Sequence, residues 1–342
     1  MQARRRRSLR LAAPRARDAR SPGPRRRLRA RTALRAGSLS GGDPRVGLVI
    51  LTRDRRERVR ETVARARALP ERPAIVVVDN ASRDATAAAL GREPGLCIVR
   101  NHRNRGAAGR NDGARRVRAP YVAFSDDDAW WAPGALARAA DHLDRHPHTA
   151  VVTARVLVGE AEREDPTCAA MAASPLAAGG ADGVPVVGFL AGACVMRRAA
   201  FEQARGYEPR LFLGAEESLL ALDLLAAGWS LVYLRDVVAH HHPSPQRDAP
   251  GRRALLRRNA LWVALLRRPW RVVRLALADA LAEAAAERAT AQLLLSTLRH
   301  LPWLLARRRP VPASVERMVR AVEGDTDGRQ DRGAGAVAAR SA

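Results

Sequence analysis

Ser125-Asp126-Asp127-Asp128 puts three consecutive carboxylates directly after the apolar run Tyr121-Val122-Ala123-Phe124. Carboxylates at the end of a buried strand are costly to desolvate and repel one another, so they need a cation or solvent. Mg²⁺ and Mn²⁺ fit such a cluster, because hard divalent ions take oxygen ligands and bridge readily to phosphates. A solvated acidic turn ahead of a helix starting at Pro133 would satisfy the same residues. Polar groups follow three other apolar runs in the same way: Thr52-Arg53-Asp54, Asp79-Asn80 and Asn101-His102-Arg103-Asn104.

The elements behind these residues alternate. Apolar, β-branched runs at 46–51, 74–78, 96–99 and 121–124 are predicted strands. Segments 55–68, 84–90, 107–117 and 133–145 are predicted helices. Such β-α alternation implies a mostly parallel sheet with helices on both faces. Ligands of these sheets bind beyond the carboxyl ends of the strands, where all four polar groups fall. Further along, the Ala-, Gly- and Pro-rich residues 159–185 read as a long loop, and 186–191 as a strand. Gly192-Ala193 suits a close backbone approach. Helices are expected at 198–204 and 216–227, the second ended by Gly228. A strand at 231–234 then precedes His240-His241-His242.

Composition narrows the class. The chain has 342 residues, 47% of them apolar, which is enough for a substantial core. Its formal net charge is +25, and all 60 basic residues are Arg. Ile occurs only at 50, 75 and 98, so the Arg count reflects GC-rich coding bias more than selected phosphate recognition. Residues 1–40 hold 14 Arg against one Asp. They lack the continuous apolar stretch of a secretory signal and read as disorder. Cys97, Cys168 and Cys194 are far apart, so no disulfide framework is indicated and a cytoplasmic setting is expected. No run is apolar enough to span a bilayer. From Arg252 the sequence turns into Ala/Leu/Arg-rich helices, which either pack on the preceding domain or dock on an anionic membrane surface.

Five segments, in order and at the usual spacing, resemble family 2 glycosyltransferases, the inverting nucleotide-sugar transferases of GT-A fold. They are Val49 to Arg55, Ile75 to Thr86, Asn104-Arg-Gly-Ala-Ala-Gly-Arg-Asn111, the acidic triplet, and Phe212-Leu-Gly-Ala-Glu-Glu-Ser-Leu-Leu220. The resemblance covers roughly residues 45–245. It implies an α/β fold with a GT-A catalytic domain at 45–245 and a helical extension at 246–322. Residues 1–44 and 323–342 would be disordered tails.

The resemblance also implies site roles. Thr52, Arg53, Asp54 and Asp79 would hold the nucleotide, although Asp79 also suits a turn cap beside Asn80 and Ser82. Asn104, Gly106, Arg110 and Asn111 would wrap the nucleotide and diphosphate. Asp126 and Asp128 form a D-x-D pair for Mn²⁺ or Mg²⁺, with Asp126 also a candidate ribose contact. A His after the last strand would add a ligand, and His240 and His242 share a face if the segment is extended. Glu216-Glu217 stands where the family has Glu-Asp; Glu217 would be the general base, with Glu216 as fallback. Three departures bear on that role: Glu replaces Asp, Leu219 replaces a frequent acid, and Asp223 replaces a frequent basic residue. The expected partners are a nucleotide-sugar donor and a glycan, lipid-linked or small-molecule acceptor, with peripheral contact to an anionic membrane face compatible and no specific nucleic acid. A nucleotide-sugar binder without turnover, or nucleic-acid binding through the Arg-rich tail, are the rival readings. The G-x-x-x-x-G-K-[ST] phosphate loop and the Gln-x-x-Arg-Trp motif of processive synthases are both missing from the sequence.

Overall fold

The computed structural model describes residues 43–91, 93–176, 182–243 and 250–329. Residues 1–42 of the expected tail at 1–44, and residues 330–342, lie outside them. The chain runs through β1 (Val46–Thr52), α1 (Arg56–Arg67), β2 (Ala74–Asp79), α2 (Thr86–Leu90), β3 (Cys97–Arg100), a 3-10 turn at Gly106–Ala108, and α3 (Gly109–Ala114). It continues with β4 (Tyr121–Asp126), β5 (Ala129–Trp131), α4 (Ala135–Arg145), β6 (Thr149–Val158), β7 (Arg163–Glu164), α5 (Pro166–Ala172), β8 (Val184–Pro185), β9 (Ala193–Arg197) and α6 (Arg198–Gln203). Last come α7 (Glu216–Ala226), β10 (Ser230–His241), α8 (Pro250–Arg267), α9 (Trp270–Ala286), α10 (Thr290–Arg307) and α11 (Ala313–Arg329).

One sheet, ordered β3-β2-β1-β4-β9-β6-β10-β5, organises the domain; β7 pairs with β6 and β8 with β10. The first four strands are parallel, as β-α alternation predicts. β9 runs antiparallel to both β4 and β6, and β5 antiparallel to β10, so the sheet is mixed. Val49, Ile50, Val77, Val78, Val122 and Phe124 are fully buried between the helical layers. α3 must lie very close to this sheet. A Cβ on Gly113 would fall 2.4 Å from Val49 Cγ1 and 2.8 Å from Val78 Cγ2.

Several expectations need correction. Residues 159–185 are not one loop: Asp165 caps α5 by accepting from the Thr167 N–H, with Pro166 opening the helix. Residues 177–181 lie outside the described residues. Residues 186–191 are not a strand; the strand begins at Ala193, after a turn in which Ala193 N–H donates to Leu190 O. β10 is far longer than 231–234 and runs to His241, so two of the three histidines belong to the sheet. The extension also persists past 322, because α11 runs to Arg329. Arg268 anchors α11, with its guanidinium on Glu316 (2.8 Å) and Glu323 (2.6 Å).

Candidate active site

A cavity of about 470 Å³ opens at the carboxyl ends of β1 and β4. Its size lies within the range of about 300–1,000 Å³ usual for small-ligand sites. The acidic triplet forms its floor, and each carboxylate has its own partners. Asp126, the most accessible, pairs with the Arg110 guanidinium. Asp127 is buried, accepts from Thr52 Oγ1 at 2.8 Å and meets Arg55 Nη1 at 2.9 Å. Asp128 is 2% exposed; Oδ2 lies 2.9 Å from the same Arg55 nitrogen and Oδ1 lies 3.5 Å from His241 Nε2. Burial pushes the Asp127 carboxyl up to about 6, against the opposing pull of Arg55 and Thr52. The expected backbone approach at Gly192 occurs here, since a Cβ there would sit 2.7 Å from Asp126 Oδ2.

The Gly-rich loop is shaped by one amide. Asn80 Nδ2 donates to Asn104 Oδ1 (2.9 Å) and Gly106 O (3.0 Å), while Asn80 Oδ1 accepts from the Arg105 N–H (3.0 Å). Gly106 has φ +56°, and a Cβ on it would lie 1.9 Å from Phe212 O. Glycine is required at that position for both reasons. The next N–H, of Ala107, donates to that same Phe212 oxygen at 2.7 Å, so the Gly-rich loop is tied to the segment that leads into α7.

α7 begins with Glu216-Glu217 at the cavity wall. The turn before it is tight, with Phe212, Gly214 and Ala215 all at positive φ. Asn259 on α8 holds this turn. It is fully buried, and its Nδ2 lies 2.7 Å from Leu211 O, 2.9 Å from Leu213 O and 2.8 Å from Gly214 O. Burial raises the pKa of both glutamates, and the Glu217 carboxylate raises Glu216 further; Arg110 opposes the shift for both. Glu216 Oε2 and Glu217 Oε2 are buried without a hydrogen-bond partner. The cavity thus holds two protonatable carboxyls beside a cation-compensated acidic floor.

Thr52, Arg53, Asn104, Gly106, Arg110, Asp126, Asp128, Glu216, Glu217 and His240 all line this cavity. Four expected residues do not. Asp54 closes the rim: its carboxylate accepts from the Arg83 N–H and its own N–H donates to Ser82 Oγ. Asp79 is fully buried and caps a turn through the Ser82 N–H (2.9 Å), with Arg100 Nε 3.6 Å from its other oxygen. Asn111 holds both the N–H and the C=O of Tyr207. His242 packs on Trp130, at 4.7 Å between ring centroids.

The three histidines divide between two faces. His240 and His242 do share a face, but it is the Trp130 face, and His240 Nδ1 meets Glu162 at 3.1 Å. His241 is the imidazole beside Asp128. Alternation along β10 sends it to the opposite face from His240. Arg55, Asp127, Asn80 and Asn259 were also missed as site residues. The signal for Arg55 was its place at the end of the Val49 to Arg55 segment. Trp130 and Trp131 pack rather than line the cavity: Trp131 is buried, and the Arg65 guanidinium sits 3.7 Å from the centre of the Trp130 ring.

A mixed α/β sheet with acids and a glycine-rich turn at its carboxyl rim defines a GT-A-type fold. The family model described as "Glycosyl transferase family 2" matches residues 48–205. Among solved structures, the fold is similar to mannosyltransferase PcManGT from Pyrobaculum calidifontis, in complex with GDP-Man and Mn²⁺. That similarity has TM-score 0.52 and 21% identity over 85% of this chain and 90% of that one. It is also similar to GalNAc-T7 with UDP, GalNAc and Mn²⁺ (TM-score 0.51, 15% identity, 65% of this chain and 48% of that one), so this chain spans about half of that protein. S. aureus TarS 1–349 in complex with UDP-GlcNAc gives TM-score 0.50 and 17% identity over 65% of this chain and 66% of that one. No curated protein matches the sequence.

Replacing Asn259 by Leu keeps the branched shape but removes the amide donor from the Leu213 and Gly214 carbonyls, while Leu211 O retains the Leu213 N–H. The expected loss is about 1–3 kcal/mol of stability, read by urea unfolding. An unfolding midpoint equal to that of the parent chain would contradict the role of this amide.

Proposed function

We propose that this chain is an inverting, metal-dependent glycosyltransferase that moves one sugar from a nucleotide-sugar donor to an acceptor hydroxyl. The observation that carries this reading is the convergence, in one cavity, of the acidic triplet, the Asn104 to Arg110 loop and the Glu216-Glu217 pair. Similar folds solved with GDP-Man, UDP or UDP-GlcNAc support the donor class. The acceptor belongs to a glycan, a lipid-linked sugar or a small molecule, as in cell-envelope glycan synthesis.

The residues present fit Mn²⁺ or Mg²⁺. Asp128 Oδ1 and His241 Nε2 lie 3.5 Å apart. That is close to the roughly 3 Å between adjacent ligands in an octahedron with bonds of about 2.1 Å. Asp128 and His241 would hold the ion, with Asp126 reaching it or the donor ribose. When bound, the ion neutralises charge on the departing nucleoside diphosphate as a Lewis acid. Arg55 orients Asp128 through its other oxygen, and Asn80 shapes the loop whose backbone N–H groups face the donor. Arg110 holds Asp126 and adds positive charge beside the diphosphate.

Glu217 accepts the acceptor hydroxyl proton as the sugar carbon is attacked, with Glu216 beside it. Two adjacent buried carboxyls do not ionise together at ordinary carboxylate pH, so the pair releases one proton late. The base works only when deprotonated, so transfer rises with pH. Its acidic limb should lie above the ordinary glutamate value of 4.5. Glu217→Gln should lower sugar transfer by about 10²–10⁴-fold and leave donor binding intact. Undiminished transfer by that variant, or product with the donor's anomeric configuration, would refute the assignment.

The helical extension supports a location at an anionic membrane face. Among the described residues, no helix is long and apolar enough to cross a membrane. Yet Trp270, Leu275 and Leu277 on α9, with Leu294, Leu295, Leu298 and Leu305 on α10, are exposed. Exposed Arg271, Arg274, Arg299 and Arg307 lie on the same helices. Apolar and cationic side chains together suit an interfacial surface that contacts acidic lipid headgroups. The protein should float with phosphatidylglycerol vesicles and not with phosphatidylcholine vesicles, and Leu295→Glu with Leu298→Glu should abolish this. Flotation that ignores both substitutions, or no flotation with the acidic vesicles, would contradict the surface.

A further inference from the structure

A second constellation of ligating side chains sits on α4, apart from the cavity. His142 lies in the last turn of α4, and His146 is the residue that caps its C-terminus. Their ring centroids lie 4.3 Å apart. Asp182 lies against both: Oδ2 is 2.9 Å from His146 Nε2, and Oδ1 is 3.8 Å from His142 Nδ1. One ligating atom from each residue falls within 4.8 Å of the others.

His142 makes this more than a surface cluster. It is 1% exposed, and neither ring nitrogen has a hydrogen-bond partner. A buried polar group left in that state costs about 1–3 kcal/mol. The residue after Asp182, Gly183 at φ +110°, passes close to Leu234 and the His142 ring: a Cβ on it would fall 2.8 Å and 3.5 Å from them. The charged group that competes for Asp182 is Arg145, at 2.7 Å. That pair is exposed on both sides, and such pairs contribute only about 0–1 kcal/mol. A divalent ion can therefore displace Arg145 at little cost.

We propose that His142, His146 and Asp182 form a site for a borderline divalent transition metal of the Zn²⁺ type. Two imidazoles and one carboxylate are the donor set of such ions, whereas Mg²⁺ and Ca²⁺ favour shells made mostly of oxygen. A water would complete a tetrahedral shell. The ion would pin the last turn of α4 to the segment entering β8. It would act on structure and not on sugar transfer, because His142 neighbours Leu234 in the early part of β10, while His241 lies at the far end of that strand.

The test is calorimetric titration of the untagged full chain with Zn²⁺, alongside Co²⁺ absorption to report tetrahedral nitrogen and oxygen ligation. His146 is half-buried and Asp182 exposed, so His146→Ala and Asp182→Asn should fold normally, which circular dichroism checks. The expected result is one equivalent of Zn²⁺ that survives Asp128→Ala and weakens at least about tenfold in each of the other two variants. Binding indifferent to His146→Ala and Asp182→Asn, binding lost only with Asp128→Ala, or no binding at all would overturn the proposal.

Discussion

Six carboxylates face one cavity: Asp126, Asp127, Asp128, Asp165, Glu216 and Glu217. Their mutual repulsion in a partly dry site is the constraint that shapes the catalytic half of the protein. Two guanidiniums answer it from within the fold. Arg55 bridges Asp127 and Asp128, and Arg110 holds Asp126 while lowering the proton affinity of the glutamate pair. Burial still raises the pKa of Asp127, Glu216 and Glu217, with neighbouring carboxylates adding to the shift. On the proposed reading, a metal ion beside Asp128 and a proton at the glutamates would relieve the repulsion that remains. Both are what transfer of a sugar from a diphosphate would use.

The same constraint explains why the helical extension is part of the site. Glu216 and Glu217 start α7 after a turn with three residues at positive φ, a conformation that needs support from outside. Asn259 supplies it from α8, and Phe212 O links the turn to the Gly-rich loop. Arg267 on α8 also pairs with Asp223 on α7. Asp223, read in the sequence as a departure from the family, is thus the anchor of α7 on the extension.

Much of this was legible in the sequence because four β-branched runs end in polar residues, and an α/β sheet puts such ends on one rim. The parallel half of the sheet followed from that pattern. The antiparallel half did not. β6 follows directly on His146-Pro147-His148 with no glycine turn to announce it, and β9 was misplaced onto the apolar residues 186–191. Site residues were harder where one side chain serves the fold. Asn111 and Asp79 have the right types at the right spacing, but Tyr207 and the Ser82 turn engage them. Which histidine faces Asp128 depends on register: with the strand extended to His241, the middle residue of the three turns to it. Arg55 and Asn259 act through contacts more than 70 and 40 residues away in the chain, which no local pattern encodes.

The most direct test of the central claim is thermal stabilisation of the full chain by UDP, GDP and dTDP, each with and without Mn²⁺. The account predicts stabilisation by one nucleoside diphosphate that requires the metal and disappears in Asp128→Ala. A folded protein that no nucleoside diphosphate stabilises, or one stabilised equally in Asp128→Ala, would contradict it.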